Sequence, residues 1–408
     1  MKEGLKVLMI PTGNAGLAYY RMWNFANAAY RTGAAQMKVL WWQKKLKYTH
    51  PWEEEIKKPE MKLRIFKEMY QYAQSSDVVI FQMCHIDASL GAFYTLKDIF
   101  NYSKLNIPIL AEIDDNVIDM PSYNPASQAY DPSGTLHREV ALKQFKSSDG
   151  MIVSTPYLAD VYSEFNDQIY VVPNCIDMKL WNSAARKKKK GIVIGWAGGS
   201  THESDLKIIE PIVHRILAKN KDVTFNFCHG APHFLRDIPR VDCSFKWAFI
   251  HEYPKHIARL GWDIGIAPLV DNAFNRGKSN LRWLENSALG IPCVASKVGH
   301  FEQTIRHGID GFLASDEQEF ESYLQKLIDD RKLRLRIGME AHVRVLKDFN
   351  VDHGVLNYID QLKKAIGIGK VKDAPPVQTL LPDWMNDEIK PLEPLKNPYE
   401  MPPVTEVM

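Results

Sequence analysis

The residues best placed to do chemistry lie between Asp263 and Gly311. There a Gly277-Lys278-Ser279-Asn280 run stands between a strand-like DIGIAPL and an amphipathic pattern, LRWLENSALG, that predicts a helix. A Gly-Lys-Ser that opens a helix suits an anion. The first turn offers unpaired N–H groups and a partial positive charge, and Lys278 and Ser279 add an ammonium and a hydroxyl. Glu285 falls two turns further along, where a carboxylate suits a neutral polar ligand rather than a phosphate. The run is not a Walker loop, because Asn272 stands where that motif needs its first glycine. Taken alone, the segment also fits an ordinary helix start with a solvated lysine.

Three further groups could serve a ligand. In GWAGGSTHESDL, Gly198 and Gly199 make a turn tight enough to bring backbone N–H groups to a phosphate. Ser200 and Thr201 add hydroxyls, and His202 could donate to a phosphate or a sugar; a plain Ser- or Thr-capped turn is the alternative. Asp114 and Asp115 end the apolar run IPILAEI. Side chains at the carboxyl end of a parallel strand face the ligand crevice, where a carboxylate could orient or deprotonate a hydroxyl. Asp115 could equally open an Asx turn. Gly13, Asn14 and Gly16 form a weak glycine loop after the first strand, and His85 follows another strand as either a cleft residue or a structural one. Arg21 could point into a cleft or sit on the surface.

The elements that must position these residues alternate. KVLMI, MKVLWW, DVVIFQM, IPILAEID, GMIVS and QIYVVPN are apolar runs separated by helical stretches, and the alternation begins again at GIVIGWAGG. Continuous apolar strands between helices indicate parallel sheets covered on both faces. The 408 residues are too many for one ordinary core, so the fold class expected is α/β with two Rossmann-like domains. The expected limits are 1–182, 183–366 and a Pro-rich extension, 367–408, with two closing helices after Phe312. The run Arg186 to Lys190 has linker composition; its sharper reading is a contact for a polyanion.

Composition removes several classes. A net charge of +2 argues against a protein-wide electrostatic funnel for nucleic acid or membrane. Five scattered cysteines, none spaced as C-x-x-C, fit a reducing compartment without disulfides or a zinc site. The start reads as a first strand rather than a signal peptide, and no run approaches the ~20 apolar residues of a membrane span. Use of a lipid-linked acceptor would require peripheral binding, for which the sequence shows no strongly basic amphipathic helix.

The ordered set Asp263, Pro268, Phe274, Asn275, Lys278, Ser279, Leu284, Glu285, Ala288, Gly290, Pro292, Ala295 and Ser296 resembles the donor segment of GT-B glycosyltransferases, closest to glycosyltransferase family 4. VVPNCID resembles the segment that leads out of the first domain in that family, and implies a structural role. The resemblance covers the chain to about Gly367. It departs from the family at Gly277, where a carboxylate is usual, and at Arg282, where a second lysine is usual.

The resemblance implies two Rossmann-like domains facing each other across a cleft. It implies a retaining, metal-independent transferase that moves a sugar from a UDP- or GDP-sugar to an acceptor hydroxyl, with no cofactor beyond this co-substrate. Gly198, Gly199, Ser200, His202, Lys278, Ser279, Asn280 and Glu285 would hold the donor, Glu285 by its ribose. Asp114, Asp115 and Lys278 would serve catalysis, and Gly13, Asn14, Gly16 and His85 would border the acceptor. The acceptor stays open among saccharide, lipid, protein and a modified nucleobase in DNA. Trp41, Trp42, Trp52, Tyr123 and Tyr130 are candidates to stack on it. A homo-oligomer and a cytoplasmic location are compatible with the sequence. A non-catalytic nucleotide-sugar-binding subunit and a GT-B sugar-nucleotide epimerase are the alternatives.

Overall fold

The computed structural model describes residues 4–369 apart from 13–15, 41–58, 86, 125–126, 128–135, 183, 185, 188, 229–231 and 244–251. The chain divides into two units. One takes in the chain to Asp114, Pro132–Val172 and the chain from Gly354; the other takes in Asp115–Asp131 and Pro173–His353.

Six parallel strands build the first unit: β1 (Leu5–Ile10), β2 (Ala35–Val39), β3 (Val78–Gln82), β4 (Ile109–Ile113), β5 (Gly150–Val153) and β6 (Ile169–Val171). Their order is β2-β1-β3-β4-β5-β6. Every residue of β3, β4 and β5 is buried, which is why these runs read as continuously apolar. Helix α1 (Asn24–Thr32) follows a π-helical turn, Tyr19–Trp23, and α2 (Pro59–Ala73), α3 (Asp87–Tyr102) and α4 (Leu136–Ser147) connect the later strands. Strand order reverses at β1, whose neighbours are β2 and β3. The carboxyl ends of strands beside such a switch point are where open α/β sheets place ligands.

The second unit repeats the plan with β7 (Ile192–Ala197), β8 (Val223–Cys228), β9 (Val241–Asp242), β10 (Ile264–Ala267), β11 (Cys293–Ser296) and β12 (Phe312–Ala314). The order is β12-β11-β10-β7-β8-β9, all parallel, so the switch lies between β7 and β10. Helices α5 (Glu203–Lys219), α6 (Tyr253–Leu260), α7 (Ala273–Arg276), α8 (Leu281–Ala288) and α9 (Arg331–Asp348) accompany it, and α10 (Val351–Gly369) follows α9 in the chain. Ile194, Trp196, Leu206, Phe225, Ile266 and Val294 form the heart of its core.

The unit limits differ from those expected. The chain changes units at Pro173, because Ile176 N donates to Phe349 O (2.8 Å) and Ile176 O accepts from Val351 N (2.9 Å). It returns at Gly354, because α10 packs into the first unit, with Tyr358 edge-on to Phe25 at 4.7 Å. Beyond Phe312 the two expected helices (Glu317–Asp329 and α9) are joined by this third. The Pro-rich stretch 370–408 lies outside the described residues. All five cysteines are free, four of them buried. Among the described residues no helix is long and apolar enough to cross a membrane.

Candidate functional site

The expected anion receptor is assembled inside the second unit. After β10 the chain turns at Asn272, whose side chain accepts from Asn275 N (2.8 Å) and starts the single turn of α7. That turn delivers Lys278 to the start of α8. Lys278 Nζ lies 2.6 Å from Asp115 Oδ1 and 4.3 Å over the Phe274 ring. Ser279 Oγ accepts from Asn174 Nδ2 at 2.9 Å, which leaves the hydroxyl proton to donate elsewhere. Asn280 departs from expectation. It is 0% exposed and its amide donates to Thr304 Oγ1 at 3.3 Å, so it braces the helix start rather than facing a ligand.

The Gly198 turn meets this centre through α8. A Cβ at Gly198 would stand 2.5 Å from Trp196 Cζ2 and 2.9 Å from Arg282 Nη1, so only glycine lets the guanidinium lie against the backbone at this turn. Arg282 stacks over Trp196 (5.0 Å), and its Nη2 lies 3.2 Å from His202 Nε2. His202 Nδ1 lies 2.7 Å from Asp205 Oδ2. Burial pulls His202 down to about 4. The bond to Asp205 opposes this, while the charges of Arg282 and Lys278 add to it. The ring is therefore neutral, with Nδ1–H donating to Asp205 and Nε2 accepting from Arg282. With both nitrogens engaged, His202 orients Arg282 rather than donating to a ligand as expected.

Asp205 ties the two loops together. It is buried, and its Oδ1 accepts from Val270 N (2.9 Å) and Asn275 Nδ2 (2.8 Å) while Oδ2 holds His202. One carboxylate thus fixes the start of α5, the β10 exit and the turn that carries Lys278. A buried carboxylate with three donors is a satisfied one.

Glu285 lies one turn beyond Arg282 on α8. Its Oε2 accepts from Tyr253 Oη at 3.4 Å, and Tyr253 sits edge-on to Trp181 at 6.0 Å. Burial, reinforced by the Glu285 charge, holds the Tyr253 phenol well above its ordinary value, so it stays a donor. From Lys278 to Glu285 the site therefore presents two cations, a helix start, a hydroxyl and then a carboxylate.

Of the remaining expected residues, Asp115 joins this cluster. Asp115 is not a free base, because it is paired with Lys278. Asp114, half-buried at the end of β4, feels the charge of Arg21, and its carbonyl accepts from Ser154 Oγ (3.4 Å). His85 is half-buried after β3 and Gly16 opens a three-residue helix, so both lie at the carboxyl end of the first sheet. Gly13, Asn14, Trp41, Trp42, Trp52 and Tyr130 lie outside the described residues, and Tyr123 is exposed, its hydroxyl accepting from Asn272 Nδ2 (2.7 Å). Arg21 is neither in a cleft nor on the surface. It is 1% exposed, with Nε 2.6 Å from Glu112 Oε1 and Nη1 donating to Val172 O at 2.7 Å. In the basic run, Arg186 donates to Trp262 O, and Lys189 and Lys190 line an open groove of ≈ 470 Å³ with Arg240 and Asp242, at the amino ends of the strands.

Arg282, Asp205, Tyr253 and Asn174 were not identified as site residues from sequence. Only Arg282 carried a signal, as the departure from a usual lysine; the others depend on pairings across 32 to 105 positions.

Residues 210–360 match the family described as glycosyl transferase-like. No curated protein matches the chain. In fold the chain is similar to HepE of Anabaena in complex with UDP-glucose (14% identity, TM-score 0.59, 88% of this chain and 100% of that one). It is also similar to the sucrose-phosphate synthase of Thermosynechococcus elongatus (15%, TM-score 0.62, 89% and 99%). A third similar structure is a putative UDP-N-acetylglucosamine 2-epimerase from Listeria monocytogenes (11%, TM-score 0.53, 89% and 97%). Two parallel six-stranded sheets and these likenesses establish the GT-B fold.

Proposed function

We propose that this protein is a glycosyltransferase that takes a sugar from a nucleoside diphosphate sugar, UDP-linked by preference, and passes it to an acceptor hydroxyl. The observation that carries the reading is the set around α8: Lys278 and Arg282 beside the Gly198 turn, with Glu285 one turn on. The fold is shared with a protein crystallised with UDP-glucose, which supports the choice of UDP.

Cleavage of the bond between sugar and diphosphate leaves negative charge on the departing oxygen. Lys278, Arg282, the Gly198–Gly199 backbone and the α8 dipole stabilise that charge as it develops, and they are held in place before the reaction begins. Two fixed cations supply what a divalent ion would, so we propose turnover without a metal. Ser279 donates its free proton to a phosphate oxygen, and Glu285 accepts from ribose hydroxyls with Tyr253 beside it. Asp115 is a positioning residue that holds Lys278 until the diphosphate replaces it. Asp114, its chain neighbour, is proposed to orient the acceptor hydroxyl. The resemblance carried by residues 263–296 supports retention: the acceptor enters on the leaving-group face and its proton passes to the departing phosphate.

Titration calorimetry with UDP, GDP and ADP, followed by release of nucleotide from the matching sugar conjugates in the presence of a chelator, tests the reading. Tight binding of UDP with sugar release that survives chelation supports it. Binding without release under any acceptor would make the chain a binding subunit instead.

A further inference from the structure

The segment Asp115–Asp131 follows β4 in the chain but belongs to the second unit. Side chains fasten its first part to the turn that delivers Lys278. Asp115 Oδ1 lies 2.6 Å from Lys278 Nζ. Asn116 Nδ2 donates to Ala273 O at 3.1 Å, and Asn272 Nδ2 donates to Tyr123 Oη at 2.7 Å. Asn116 also shapes the segment from within. Its Oδ1 accepts from Ile118 N (3.1 Å) and Asp119 N (3.2 Å), which is an Asx turn, and its Nδ2 lies 2.9 Å from Asp119 Oδ2. Asn116, Val117 and Asn124 are buried, so the segment is packed in place as well as bonded.

Of these fastenings, the Asp115 pair alone uses the cation that a diphosphate would take. A ligand that engages Lys278 leaves the Asn116 and Tyr123 bonds intact. Asn116 is the next residue in the chain, so the Asp115 carboxylate stays close to the bound anion. An ammonium shared between a carboxylate and a phosphate keeps the two anions within about 5–6 Å of each other.

We propose that Asp115 sets the site's preference for a nucleoside diphosphate sugar over the free nucleoside diphosphate, so that the product is released rather than retained. The inference rests on the donor reading above. In a nucleotide sugar the terminal phosphate is a diester with one negative charge. Once the sugar has left, that phosphate bears a second charge near neutral pH. Lys278 and Arg282 by themselves favour the more highly charged product. A fixed carboxylate beside Lys278 acts in the opposite sense, because its repulsion grows with the charge on the phosphate. The Asp115 side chain is 41% exposed, so solvent screens the repulsion, and one added charge changes affinity by roughly fivefold. Adjacent residues do not announce this device, since the carboxylate comes from 163 positions away from the lysine.

The test is titration calorimetry at pH 8 with a chelator present, on the full chain and on Asp115→Asn. The ligands are UDP, UDP esterified with methanol at its terminal phosphate, and UDP-glucose. The methyl ester has the donor's charge without a sugar. Asp115→Asn is expected to tighten all three, UDP roughly fivefold more than the ester, with UDP-glucose following the ester. An equal gain for UDP and the ester overturns the proposal, since Asp115 then acts on Lys278 alone; the donor reading would still stand. A variant that binds UDP-glucose more weakly and the ester unchanged also overturns it, because Asp115 then holds a sugar hydroxyl. If the wild type binds none of the three, the donor reading fails and this inference with it.

Discussion

Replacing Lys278 by alanine probes the site where its electrostatics are most concentrated. An ammonium some 4 Å from a phosphate charge is worth roughly 4 kcal/mol at an effective dielectric constant near 20. Lys278 first gives up Asp115. That pair is partly open to solvent, its side chains 19% and 41% exposed, so its loss costs about 1 kcal/mol at most. The net loss is then ~2–3 kcal/mol of transition-state stabilisation, a fall of roughly 30- to 200-fold in kcat/KM. The alanine variant also leaves the Asp115 carboxylate facing the diphosphate without a counter-charge. Adding Asp115→Asn in that background should return about fivefold, whereas Asp115→Asn alone should tighten donor binding by freeing the ammonium. Steady-state kinetics on the four proteins, with thermal denaturation to confirm the fold, give the complete cycle. A kcat/KM for Lys278→Ala within about threefold of wild type would refute the reasoning.

Four other outcomes are expected. Glu285→Gln should weaken UDP binding by about 10- to 100-fold in calorimetry, since a charge-assisted acceptor becomes a neutral one. Gly198→Ala should drive Arg282 off Trp196, costing ~1–3 kcal/mol in denaturant melts and most of the donor affinity. Arg21→Met should strand the buried Glu112 carboxylate and cost ~3–5 kcal/mol of stability, which a further Glu112→Gln change should partly restore. Folded His202 titrates near 4 against 6.5 when unconstrained, so on acidification the unfolded chain takes up the proton first. Its contribution to stability is complete above about pH 6.5 and is lost as the pH falls toward 4, so His202→Gln should flatten the stability profile across that window.

The fold was legible in sequence wherever burial is continuous. Most strands of both sheets announce themselves because their residues face helices on both sides; β9 and β12, only two and three residues long, do not. What periodicity could not give was the return of α10 to the first unit, since Tyr358 finds Phe25 across more than three hundred positions. The donor segment was readable because Lys278, Ser279 and Glu285 lie within one helix and its approach. By sequence Asp115 is a strand-end residue free to act on a ligand, because its bond to Lys278 spans 163 positions. His202 looked like a donor by residue type; burial and two flanking partners make it a fixed, neutral brace. Adjacency groups Asn280 with Ser279, yet the helix start turns it inward.

The measurement that decides the assignment is a time course of nucleotide release from a panel of UDP-, GDP- and ADP-sugars, run in parallel on wild type and Lys278→Ala. A donor site at Lys278 and Arg282 predicts slow UDP release from at least one UDP-sugar, faster when a hydroxyl acceptor is supplied, and slowed roughly 30- to 200-fold in the variant. Failure to bind or cleave any nucleotide sugar, or equal release by both proteins, would contradict it.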